Sequence, residues 1–178
     1  MKVFLILFFI CINSTLSINP EKVVIAVNCG GDSYEDGNGV VYEADNYYNT
    51  GNPSDYGLQY DIDLTKDEEL YQTERWADKD LVYTLPFEQE PGNYVAILKF
   101  SEVYFSQANE KVFDIALGSF PIVRNLDIFD LVGKAKAHDE YIEFELRDDS
   151  LIYYKVSQLR FYCFFNLLET TYYQCIQP

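Results

Sequence analysis

The sequence predicts an all-β domain, an antiparallel β-sandwich of about nine or more short strands. Three observations lead there. Short apolar runs recur along the chain, with turn residues about every 8–12 positions. Aromatic residues, which suit pleated and half-buried surfaces, make up 17% of the chain, with 16 Tyr, 13 Phe and 1 Trp. No segment carries helical periodicity over about ten residues or more.

The elements follow in order. Val23 to Val27 is an apolar strand that ends at Asn28-Cys29-Gly30-Gly31. Residues 32–57 are rich in Gly, Asn and Asp and read as long loops with one short strand at Val40-Val41-Tyr42. A loop region of that length is more often functional than structural. Glu69 to Trp76 and Leu81 to Leu85 are strand candidates. Gly92-Asn93 reads as a turn before Tyr94 to Phe105, where Tyr94, Ala96 and Leu98 alternate with Val95, Ile97 and Lys99. Val112 to Leu117 and Phe120 to Val123 flank a Gly118-Ser119 turn, and Leu126 to Val132 suits one helical turn. Tyr141 to Leu146 alternates cleanly, and Leu151 to Val156 and Leu159 to Phe165 close the series.

Composition narrows the function classes. The 178 residues are one domain's worth of chain, and 48% hydrophobic content excludes disorder. A net charge of −16, from 13 Lys+Arg against 29 Asp+Glu, repels phosphate backbones and anionic lipid heads. Nucleic acid is therefore not an expected partner.

Met1-Lys2, the apolar run Val3 to Ile12 and the small residues Thr15 and Ser17 have the form of a secretory signal peptide over residues 1–17. The apolar run is half the length of a membrane span, and no later segment has 18 consecutive apolar residues. The expected mature domain is residues 18–178, in the endoplasmic reticulum lumen or secreted, with no membrane anchor. Cys29, Cys163 and Cys175 remain after residue 17, so at most one disulfide forms; Cys163 and Cys175 have a hairpin-like separation. Their spacing matches no zinc pattern, and the chain has a single His.

Several phrases together resemble the malectin family of carbohydrate-binding domains. They are Val27-Asn28-Cys29-Gly30-Gly31, Ser54-Asp55-Tyr56-Gly57, Leu70 to Trp76, Tyr94 to Phe105, Lys111 to Ile115, Asn125 to Asp130 and Ala137-His138-Asp139-Glu140. The resemblance runs from about residue 23 to 146 and fades from about residue 147. It implies a jelly-roll-like sandwich whose ligand loops cluster at one end. It also implies a lectin for glucose-rich oligosaccharides, such as glucosylated N-glycans of the secretory pathway, with no cofactor, no metal and no catalytic residues. Glycoproteins or the glycan-processing machinery of the endoplasmic reticulum are the partners it suggests. Carried over from the family, the carbohydrate-binding residues are Tyr56, Trp76, Tyr104 and Phe105, with Glu169 aligned to the family's C-terminal Asp. Position 76 is usually Tyr in the family; Trp enlarges the stacking face and replaces a hydroxyl by an N–H donor.

The chemistry suits such residues. Sugars present C–H faces that stack on aromatic rings and hydroxyl rims that need directed donors and acceptors. Tyr56, Tyr104 and Phe105 also suit sandwich core or rim. Neighbours in an extended strand point to opposite faces, however, so Tyr104 and Phe105 cannot both enter one core. Glu74-Arg75 reads as an exposed or rim ion pair, His138 as a loop histidine bonded to backbone, and Asp127 and Asp130 as loop and turn acceptors. Asp32, Asp36, Gly37 and Glu43 fall on a calcium-loop template that Tyr34 breaks. There is no Gly-x-Ser-x-Gly elbow, phosphate loop or His-Glu-x-x-His phrase. A lectin is the expectation; an extracellular protein-interaction module and a glycoside hydrolase are the alternatives.

Overall fold

The computed structural model describes residues 18–86, 90–118, 120–147, 150–152 and 165–169. The chain is predominantly β. The strands are β1 (Val23–Asn28), β2 (Tyr34–Glu35), β3 (Val41–Ala44), β4 (Asn52–Ser54), β5 (Glu74–Trp76) and β6 (Gly92–Phe100). They continue with β7 (Phe113–Leu117), β8 (Phe120–Leu126), β9 (His138–Arg147), β10 (Ser150–Ile152) and β11 (Phe165–Glu169). Two short helices, α1 (Glu69–Gln72) and α2 (Ile128–Val132), interrupt them. Seven strands form one sheet in the order β10-β9-β6-β11-β1-β3-β2, and β4-β5 and β7-β8 form separate two-stranded ribbons.

The alternation in β6 does what period-2 patterning demands. Tyr94, Ala96, Leu98 and Phe100 are buried in the core with Ile142, Phe144 and Leu146 of β9, which pairs with β6 antiparallel along its whole length. Tyr94 stacks on Phe144 at 5.6 Å, and Phe100 meets Phe113 of β7 at 5.5 Å. Ile25 and Val27 of β1, Ile115 of β7 and Leu126 of β8 belong to the same core.

Several sequence expectations change. The sheet is mixed rather than antiparallel throughout, because β1 pairs with β3 in parallel through Val27–Glu43 and Asn28–Ala44. The polar stretch 32–57 holds three strands, not one. Glu69 to Trp76 splits into α1, from which Leu70 and Tyr71 both enter the core, and β5. The Leu81 to Leu85 stretch is reduced to one isolated bridge between Tyr83 and Tyr48. Gly92 is already paired, to Leu146, so β6 starts where a turn was expected and ends at Phe100. The single helical turn expected near Leu126 to Val132 is α2, capped by Asp127, which accepts the N–H of Asp130 at 3.0 Å. His138 lies in β9, and its ring bonds the Glu140 carboxylate at 2.7 Å rather than backbone. Most of Leu151 to Phe165, together with Cys163 and Cys175, lies outside the described residues; Cys29 is buried.

Candidate functional site

One end of the large sheet gathers the loops. There β1 runs out into Asn28 to Gly31, β6 into Ser101 to Phe105, and the segment 133–137 feeds β9. Asn28 is buried; its side-chain amide donates to the Asp32 carbonyl at 2.9 Å and accepts from Thr73 Oγ1 at 3.2 Å. Gly30 has φ +77°, and a Cβ there would lie 2.0 Å from the Glu74 carbonyl oxygen. Only glycine lets this turn touch the strand that carries Trp76. Gly57 plays the same part for the next loop, since a Cβ would lie 2.4 Å from the Gln72 carbonyl oxygen. Gln72 Nε2 also donates to the Tyr60 carbonyl at 2.8 Å. The 3-10 turn Tyr56–Gln59 is thereby fastened to α1.

On this frame sits an aromatic cluster. Tyr56 and Tyr104, 48 positions apart in the chain, meet edge-on with ring centres 5.2 Å apart. Tyr56 also lies 6.1 Å from Tyr60, and Tyr104 lies 5.1 Å from Phe105 in a T-shaped pair. Tyr56 is 40% and Tyr104 58% exposed, so the cluster is a surface and not core. Lys134 borders it, with Nζ 5.0 Å from the Tyr60 ring centre and 3.3 Å from both the Tyr104 carbonyl and Ser106 Oγ. The phenols differ. Hydrogen bonding from Tyr56, and then from Lys134, holds the Tyr60 phenol below its ordinary pKa. The bond to Tyr60 pushes Tyr56 above it.

Tyr104 and Phe105 are held by a carboxylate. Glu102, 2% exposed, accepts both their backbone N–H groups on Oε1, at 2.8 and 2.9 Å. Glu110 caps the continuation in the same way, accepting from Ser106 and Gln107 at 3.1 and 3.0 Å. Asp127 accepts from the N–H of Asn109 as well as from that of Asp130, and these bonds lower its pKa.

Trp76 closes β5 opposite Asn52 of β4, 44% exposed. Its chain neighbour Arg75 faces the other way and is buried. The expected Glu74-Arg75 pair does not form, because adjacent strand residues cannot meet side by side. Arg75 Nε instead binds Asp45 at 2.6 Å, its Nη1 donates to the Gly51 carbonyl at 2.7 Å, and its guanidinium lies 3.3 Å above the Tyr48 ring. Asp45 further accepts from Gly30 N at 2.7 Å and Tyr83 Oη at 2.9 Å. Glu74 pairs with Lys111 at 2.8 Å.

The structure thus brings exposed Tyr56 and Tyr104 and half-buried Phe105 into one cluster and leaves Trp76 exposed on the strand beside that loop frame. It does not bring Glu169 there. Glu169 ends β11 opposite Tyr94, whereas Phe165 lies opposite Leu98. From Tyr94 to Phe100, where the chain turns toward Tyr104, is about 20 Å of strand at ~3.3 Å per residue. By its backbone pairing Glu169 therefore stands at the opposite end of β6 from the Tyr104 turn. Tyr60, Lys134 and Glu102 were missed. Tyr60 follows Tyr56 by four positions, a spacing that could have flagged it. Lys134 is 30 residues from Tyr104, and no local signal connects them. In the calcium-like loop, Asp36 Oδ1 is spent on the N–H groups of Asn38 and Val40 at 2.8 and 2.9 Å, and no metal-binding cluster of His, Cys, Asp or Glu occurs among the described residues.

Comparison with known proteins decides the family. The malectin-domain family model matches residues 23–171. The chain belongs to the malectin-domain family. The match carries the likeness past Arg147, where the sequence phrases fade. This malectin domain is 43% identical over 135 residues to malectin of Mus musculus, covering 74% of this chain and 46% of that protein. It is 42% identical over 134 residues to Malectin-A of Xenopus laevis, covering 74% of this chain and 48% of that protein. The chain thus spans about half the length of the curated relatives it matches. Among solved structures, a Bacteroides uniformis beta-glucuronidase superposes with a TM-score of 0.62 at 20% identity, over 83% of this chain and 18% of that one. The ANXUR2 extracellular domain from Arabidopsis thaliana gives 0.55 at 18% identity, over 82% and 49%. These two likenesses show the fold of the malectin domain and nothing of its ligand.

Proposed function

We propose that this malectin domain is a lectin that binds a glucose-containing oligosaccharide, such as a glucosylated N-glycan, at the Tyr56–Tyr60–Tyr104–Phe105 cluster with Trp76 as a further wall. The observation that carries the reading is the exposed 5.2 Å contact between Tyr56 and Tyr104, built from two distant loops. A contiguous patch of exposed rings, unlike a single one, marks an interaction or ligand site, and the C–H faces of a hexose match it. The phenols of Tyr56, Tyr60 and Tyr104, the indole N–H of Trp76 and the Lys134 ammonium supply the hydroxyl partners. Glu169 is not part of the proposed site.

Binding without turnover is the second half of the proposal. Glycoside hydrolysis needs two carboxyl groups flanking the scissile bond. At the cluster Glu102 is buried and bound to backbone amides, and Glu110 and Asp127 also serve backbone N–H groups. Residues 1–17 as a signal peptide, with residues 18–178 acting in the endoplasmic reticulum lumen or outside the cell, complete the reading. Among the described residues no helix is long and apolar enough to cross a membrane. A glycan array tests the ligand class: saturable signal on glucose-terminated glycans, with no product released, is expected. Binding confined to unglucosylated glycans, or to none, would contradict it.

A further inference from the structure

We propose that Lys111 is a positioning residue that locks the Tyr104-Phe105 turn to the strand carrying Trp76, so that the two aromatic walls keep one spacing. The proposal rests on the lectin reading of that site. Its geometry is a chain of three charges. Lys111 Nζ lies 2.8 Å from Glu74 Oε2 and 3.7 Å from Glu102 Oε2. Glu102 uses its other oxygen to hold the N–H groups of both Tyr104 and Phe105. Glu74 and Trp76 are two apart in β5 and so share a face. One ammonium therefore joins the carboxylate that shapes one wall to the strand that bears the other.

Burial makes the link matter. The side chains of Lys111, Glu74 and Glu102 are 20%, 18% and 2% exposed. Glu74, Glu102 and Lys111 line one small cleft with Gln72, Thr73 and Ser101. Charge pairs shielded from water interact far more strongly than surface pairs. Without the cation the cleft would hold two carboxylates facing each other, and buried Glu102 would lose its counter-ion. The carboxylates would separate, carrying the Tyr104-Phe105 turn away from β5. The Glu102 carbonyl would still accept the Ala135 N–H at 2.8 Å, so the strand beneath the turn stays anchored while the turn itself loosens.

The test compares wild type with Lys111→Met, which keeps the chain length and removes the charge, and Lys111→Arg, which keeps the charge. Two readouts need no sugar: amide hydrogen exchange at Tyr104 and Phe105, and emission of Trp76, the only Trp in the chain. The third is the dissociation constant for a glucose disaccharide. Lys111→Met should exchange those two amides at least about tenfold faster while core amides of β6 keep their protection, shift the Trp76 emission and weaken sugar binding about tenfold. Lys111→Arg should restore all three. A folded Lys111→Met with wild-type protection at both amides and unchanged Trp76 emission would overturn the proposal. Should Lys111→Met not fold, Glu74→Gln decides by the same readouts, because it cuts only the β5 end of the link: unchanged emission and affinity overturn the proposal. If neither wild type nor variants bind sugar while the amide and emission changes appear as stated, the lectin reading fails and the positioning role stands.

Discussion

Tyr104 and Phe105 are chain neighbours, and their rings meet at 5.1 Å because Glu102 bends the backbone beneath them. At this scale the rings and their hydroxyls separate as contributions. A ring contact is worth about 1 kcal/mol, or somewhat under tenfold in affinity. Tyr56→Ala is expected to weaken sugar binding about tenfold, whereas Tyr56→Phe, which loses one hydroxyl and keeps the ring, should cost less. Calorimetric titration of the two variants measures the difference; equal losses would show that the ring makes no contact. The phenols also carry a pH signature. Tyr60 is held below its ordinary pKa by Tyr56 and Lys134. Burial and the neighbouring Asp139 push Tyr71 and Tyr141 above it. As pH rises, Tyr60 should ionise first of these three, and Lys134→Met should move its titration upward. Tyrosine absorbance against pH, in wild type and the Tyr60→Phe variant, identifies the step.

Among the elements, the ribbon β4-β5 and the turn after β4 decide whether the rings are presented at all. Gly57→Ala places a methyl group 2.4 Å from the Gln72 carbonyl, so the turn must move and Tyr56 with it. That variant should lose sugar affinity by tenfold or more while the core transition on heating shifts only modestly, as followed by calorimetry and circular dichroism. The Arg75–Asp45 pair is the structural counterpart. Both side chains are 5% exposed, so Asp45→Ala should destabilise the domain by about 3–5 kcal/mol. Denaturant unfolding measures it; a loss under about 1 kcal/mol would place the pair in the class of surface pairs. These elements also show what sequence can disclose. The apolar run of β6 and the alternation of β9 made the central strands legible, because at least one face of each had to enter a core. Gly30 and Gly57 were legible as turns, but not as contacts with Glu74 of β5, 44 residues on, and Gln72 of α1, 15 residues on. Arg75 was misjudged for the same reason: its partner Asp45 is 30 residues distant. The position of Glu169 opposite Tyr94 was not legible, because the register of β11 is set by its pairing with β6 and β1, which the segment's own residues do not encode.

Over the whole molecule, the −16 charge and the aromatic cluster both favour a neutral ligand. An anionic glycan would be repelled by the surface as it approached, whereas a neutral glucan meets no such barrier. Binding through stacking and neutral hydrogen bonds releases no counterions, so affinity should barely change between ~50 and ~200 mM salt. A steep decline would mean that the ligand is charged. At the Phe100 end of the sheet Gly30 packs on Glu74, Lys111 joins Glu74 to Glu102, and the Tyr56–Tyr104 ring contact joins the Tyr56 turn to the Glu102 to Phe105 turn, which is the surface the proposal assigns to the sugar. The most direct test of that surface is calorimetric titration of a glucose disaccharide into wild type, Trp76→Ala and Tyr104→Ala, each checked for native near-ultraviolet dichroism. Saturable binding by wild type, weakened about tenfold in each variant, is the predicted result; folded variants that bind as tightly as wild type would contradict it.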